Sequence, residues 1–147
     1  MLYAFVTYNG GVRHTSEGEV VDLKALGSFT PLDPQNGTLR DVPEKWRALD
    51  GKKVVLEGKM FSSLVGASEL NEFEFVYDIQ MCCFRGPPIP QERVFVHVPS
   101  GRMTPYIDGV AKIVGTLHVK IERNKIDGSI VSVYTMDMDK AEPKSSW

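Results

Sequence analysis

The stretch Met81-Cys82-Cys83-Phe84-Arg85-Gly86-Pro87-Pro88-Ile89-Pro90 holds both cysteines of the chain, side by side and ahead of a proline-rich run. Thiolates are soft ligands, and a pair of them suits zinc or copper(I). Successive side chains on an extended backbone point to opposite faces, so both sulfurs reach one ion only where the backbone turns between them. Gly86-Pro87-Pro88 supplies turn chemistry just downstream. His97, on the next strand signal, is the candidate third ligand. Zinc sites legible in a sequence usually show two ligand pairs at set spacings, and this chain has one pair at a different spacing.

Two other readings stand beside the metal. Adjacent alpha carbons lie about 3.8 Å apart, below the usual disulfide span. A bond between Cys82 and Cys83 would be strained and redox-labile, as in a thiol-redox protein. Alternatively one cysteine packs in the core as a small apolar residue and the other is half exposed. Pro87, Pro88 and Pro90 either fix a loop and blunt a sheet edge or present a rigid surface to a protein partner. The binding loop expected is therefore Phe84, Arg85, Gly86, Pro87 and Pro88, beside Cys82 and Cys83.

The remaining chemistry is sparse. His14 lies in a polar stretch, His97 shares a face with Phe95 and is expected to be packed or half-buried, and His118 is expected to face solvent. No Ser-His-Asp or Cys-His arrangement can be read from the spacing, and no GxGxxG, P-loop or HExxH pattern occurs. Phe73, Phe75, Tyr77 and Phe95 fit either a stacking platform for single-stranded nucleic acid or a barrel core. Their neighbours Glu69, Glu72, Glu74 and Asp78 would repel phosphate.

Period-two patterns supply the elements that position these residues. Val54 and Leu56 alternate with Val55 and Glu57, and a glycine at 58 inside the run suggests a bulge or barrel corner. Glu72 to Tyr77 alternates next, and then Val94, Val96 and Val98 oppose Phe95 and His97. A long signal from Val110 to Ile121 has an inward set of Ile113, Leu117, Val119 and Ile121, with a register change near Gly115. Ile130 to Met136 is the last strand expected. Upstream, Glu19 to Leu26 suits a strand or a short helix. Asp41 and Pro43 read as a helix start, with Trp46 and Leu49 on the buried face.

At 147 residues, with 42% hydrophobic and 24% charged residues, the chain suits one folded domain with a real core. Residues 1–40 form an N-terminal extension, and 140–147 are expected to fray. The net charge of -2 leaves no basic footprint, which excludes avid nucleic-acid binding. No apolar run is long enough to span a bilayer as a helix. Several strands with internal glycines, one short helix and no βαβ rhythm point to a small antiparallel OB-like Greek-key barrel. An open β-sandwich is the alternative.

Three stretches carry a family resemblance: Val42-Pro43 through Leu49-Asp50-Gly51 to Gly58, Cys82-Cys83-Phe84-Arg85-Gly86-Pro87-Pro88, and Val114-Gly115-Thr116-Leu117 with Gly128 to Tyr134. Together they resemble a family of uncharacterised bacterial proteins, a domain of unknown function. That resemblance implies an OB-like barrel in proteins often exported or lipid-anchored, and it brings no activity or substrate. Members often carry a longer leader. The compartment expected is the periplasm or envelope where an export signal has been removed, and the cytoplasm otherwise.

The reading is a non-catalytic binding or interaction module, facing a protein partner, that binds zinc or copper through Cys82, Cys83 and His97 or carries no cofactor. A thiol-redox protein and an OB-type single-strand binder are the alternatives.

Overall fold

Five strands close into a ring in the computed structural model, which describes residues 8–9, 12–61, 69–77, 90–99, 102–107 and 109–144. In chain order the strands are β1 (Tyr8–Asn9), β2 (Val12–Thr15), β3 (Gly18–Val21), β4 (Lys53–Phe61), β5 (Glu69–Leu70), β6 (Glu72–Val76), β7 (Arg93–His97), β8 (Thr104–Pro105), β9 (Val110–Arg123) and β10 (Ile130–Pro143). Single-turn helices α1 (Leu23–Leu26) and α2 (Glu44–Arg47) lie between β3 and β4. The ring runs β4-β6-β7-β10-β9 and returns to β4. Every neighbouring pair in it is antiparallel except β7 with β10, which is parallel. Numbered within the ring, the order is first, second, third, fifth, fourth: a Greek-key barrel of the OB type.

Alternation decides which faces point inward. In β4, Val54, Leu56 and Met60 are buried while Lys53, Glu57 and Phe61 are exposed. In β7, Val94 and Val96 are buried, and in β9 the set is Ile113, Leu117 and Val119, with Ile121 partly buried against them. The register change near Gly115 is present: Gly115 faces Met138 and Val114 faces Lys140, so Asp139 is an extra residue in a bulge. A Cβ at Gly115 would collide with the Asp137 carbonyl and come 2.9 Å from Met138 Cα, which keeps that crossing to glycine.

The segment between β3 and β4 plugs the barrel. Leu23, Leu26, Val42, Trp46 and Leu49 join the same core as Phe75, Leu56 and Met136. Tyr134 Oη donates to the Leu26 carbonyl at 2.9 Å, tying plug to wall in a buried setting. Gln91, 2% exposed, donates through Nε2 to the carbonyls of Gly27 (3.0 Å) and Phe29 (2.7 Å) and accepts from Leu32 N–H. Arg123 donates to the carbonyls of Pro34, Gln35, Gly37 and Gly128, clamping the loop below the barrel.

Several expectations are corrected. Glu19 to Leu26 is both a strand and a helix, divided at Asp22, whose carboxylate accepts from Lys24 and Ala25 N–H. Asp41 does not cap α2, whose N-cap is Pro43; it accepts from Thr38 N–H and closes a 3-10 turn at Leu39–Asp41. The last strand runs past Met136 to Pro143, because residues beyond the bulge keep pairing with β9 as far as Ala111. β7 pairs with β10 only as far as Asp137, so the outer part of β10 is an edge where a proline costs no ladder bond.

Candidate functional site

A barrel filled with side chains leaves its chemistry on the outer wall. Phe73 and Phe75 point into the core with rings edge to face at 6.2 Å, so two members of the aromatic platform are core residues. Tyr77 stands exposed past the end of β6.

Register places the outward residues in rows across the strands. One row runs Glu72, His97, Asp137, Thr116 and Lys53, on β6, β7, β10, β9 and β4 in turn. The next runs Phe61, Glu74, Phe95, Thr135 and His118. His97 is exposed rather than packed, since its position on β7 alternates with the buried Val96 and Val98; its Nδ1 lies 3.9 Å from Glu72 Oε1. His118 does face outward, with Nε2 3.0 Å from Asp137 Oδ2. Arg93 pairs with Glu74 at 3.0 Å and lies 4.8 Å over the Phe95 ring, which holds that ring against the wall. The face formed by β6, β7 and β10 thus carries Glu72 and Asp137, with Glu74 offset by Arg93 and a half-buried aromatic between them.

Spacing in the sequence did not signal the His118–Asp137 pair. The two residues are 19 positions apart, and only the antiparallel register of β9 on β10 makes them neighbours. The pair is a base beside an orienting acid, yet no side-chain hydroxyl bonds the other imidazole nitrogen among the described residues, so no relay to a nucleophile is assembled there.

Cys82, Cys83, Phe84, Arg85, Gly86, Pro87 and Pro88 lie outside the described residues. They belong to the connection that leaves β6 after Tyr77 and re-enters the described chain at Pro90. His97 is the last residue of β7, paired with Glu72 at the far end of the β6–β7 hairpin. It lies four residue steps along the strand from Arg93, about 13 Å at roughly 3.3 Å per residue. The geometry therefore groups His97 with Glu72 and Asp137. Among the described residues no three His, Cys, Asp or Glu side chains converge to hold a metal ion.

The opposite wall is an ion-pair lattice. Glu17, at the tip of the β2–β3 hairpin, reaches Lys112 at 2.7 Å and Lys140 at 2.9 Å. The hydrogen bonds from those two ammonium groups hold its carboxyl down to about 2, and the Glu17 carboxylate in turn raises the Lys112 ammonium. Lys53 pairs with Asp139 at the bulge, and Lys144 with Glu57 at 2.9 Å. No helix among the described residues is long and apolar enough to cross a membrane.

No protein-family profile matches the chain, and no curated protein matches it. Among solved structures, the crystal structure of a DUF3299 family protein from Pseudomonas aeruginosa PAO1 is similar, with a TM-score of 0.50 and 23% identity over 84% of this chain and 79% of that one. This likeness is one of fold: the chain shares its barrel with a protein whose family name denotes a domain of unknown function.

Proposed function

We propose that the chain is a non-catalytic binding module of an uncharacterised bacterial family, recognising a protein partner on the outer face of β6 and β7 and on the adjoining connection that carries Cys82 to Pro88. The observation that carries this reading is the filled interior: Phe75, Leu56, Met60, Tyr134 and Met136 occupy the barrel, so recognition falls to the outside. In OB barrels the second and third strands supply the recognition face. Those strands here are β6 and β7. Their acidic residues, and the loss of Phe73 and Phe75 to the core, weigh against single-stranded nucleic acid as the ligand. The envelope setting comes with the family resemblance.

Within this reading Cys82 and Cys83 act as a thiolate pair for zinc or copper(I). His97 joins them only where the connection folds back along the outer face of the hairpin. The test is the intact mass of protein purified without reductant, under native and denaturing conditions, with and without iodoacetamide. Expected are two alkylatable thiols after denaturation and, natively, one metal ion that is lost in the Cys82→Ser, Cys83→Ser double variant. Two free thiols without metal would return the pair to packing and leave the module without a cofactor. A mass short by two hydrogens, with no alkylation until reductant is added, would overturn the binding-module reading in favour of a redox protein.

A further inference from the structure

The sheet forks along one edge of β4. That edge pairs with β3 through Val54 and Val55, then with β6 from Lys59 onward, and Leu56, Glu57 and Gly58 have no strand opposite them there. Residue 58 is glycine at this point because a Cβ would come 2.5 Å from the Val76 carbonyl and 2.8 Å from Leu23 Cδ2. A cleft of about 430 Å³ opens at the fork, within the size range of small-molecule sites.

Its walls combine apolar surface with one unengaged charge. Val20 and Val110 flank the cleft, and the exposed Tyr77 ring stands at its margin. Glu57 is taken by Lys144 at 2.9 Å, and Asp22 is committed to capping α1. The Lys24 ammonium lies 5.6 Å over the Tyr77 ring. Lys59 is half-buried and has neither an ion pair nor a side-chain hydrogen bond among the described residues. Glu57 and Asp22 line the same cleft but are engaged elsewhere, so the Lys59 ammonium is the charge left to take an anion through a charge-assisted hydrogen bond.

We propose that this cleft binds a small organic anion, with a carboxylate on Lys59 Nζ and an apolar or aromatic body against Tyr77, Val20 and Val110. The site goes beyond the protein-recognition reading, because it uses the fork of the sheet and needs neither the cysteines nor His97.

Benzoate is the probe, its neutral isostere benzamide the charge control, and inorganic phosphate the test of an anion without an apolar body. Titrations followed by amide chemical shifts are expected to move Lys59, Tyr77 and Val110 saturably with benzoate. Benzamide and phosphate should each bind about tenfold more weakly or worse. Lys59→Gln should weaken benzoate by a similar factor, Lys59→Arg should retain it, and Lys125→Gln, on the distant β9–β10 turn, should change nothing. Equal binding of benzamide, equal binding by folded Lys59→Gln protein, or no saturable shift at the fork would each overturn the proposal.

Discussion

Replacing Tyr134 by phenylalanine deletes one oxygen from the middle of the barrel and tests both the plug and the burial of the phenol. The hydroxyl donates to the Leu26 carbonyl at 2.9 Å, and both residues are 0% exposed. The ring keeps its packing, so the loss is the hydrogen bond and the desolvated carbonyl left behind, about 2 kcal/mol. For a domain of this size that lowers Tm by about 4–8 °C. Burial also pushes the Tyr134 phenol well above its free value of 10.0. Above that pH the unfolded chain releases the proton while the folded chain keeps it, so folding stability falls as pH rises. The slope from this one group is about 1.4 kcal/mol per pH unit. The variant has no such group. Its deficit of about 2 kcal/mol at pH 7 should therefore shrink above pH 10 and vanish near pH 11.5. Urea unfolding followed by tryptophan fluorescence, run on both proteins from pH 7 to 11.5, reads the difference directly. Equal stability at pH 7, or a deficit that stays constant through pH 11.5, would refute the tether between wall and plug.

Two further outcomes follow from contacts at the barrel wall. Glu17→Gln removes the negative charge that both ammonium groups pair with at the β2–β3 tip, so backbone amides of the hairpin should exchange faster at pH 7 and low salt. Because the Glu17 carboxyl is held down to about 2, the wild-type advantage should be complete above its ordinary value of 4.5 and disappear as pH falls through 2. Gly58→Val drives a branched side chain toward the Val76 carbonyl, Leu23 and Phe75. That crowding should cost about 1–3 kcal/mol, seen as a lower urea midpoint with an unchanged slope.

Local alternation made much of the barrel legible. The runs around Val94 and Ile113 name their own inward faces, and Gly115 announces the bulge because few other residues tolerate such close backbone contact. Trp46 and Leu49 are buried as their spacing implies. Alternation does not say which strands become neighbours. The parallel contact of β7 with β10 and the closure of β9 on β4 depend on long-range register, which leaves no periodic mark. For the same reason the rows joining His97 to Asp137, and Asp137 to His118, could not be read from residues so far apart in the chain. Gln91 was equally hidden, since a buried amide that binds three backbone groups looks in sequence like any loop glutamine. The extension of β10 is not legible because Asp137, Asp139 and Lys140 break the apolar pattern after Met136, whereas they are exposed residues of a strand at the barrel's rim.

The parallel seam between β7 and β10 has a consequence for synthesis at the ribosome. Translation delivers the plug, β4, β6, β7 and β9 before the strand that joins β7 to β9. Until residues 130–143 emerge, both of those strands carry an open edge of unpaired amides and carbonyls, the form of backbone that templates association between chains. The nascent barrel is therefore most exposed to self-association just before its last strand leaves the exit tunnel. A stop introduced ahead of Ile130 would leave two open edges and also remove Ile130, Val133, Tyr134, Met136 and Met138 from the core.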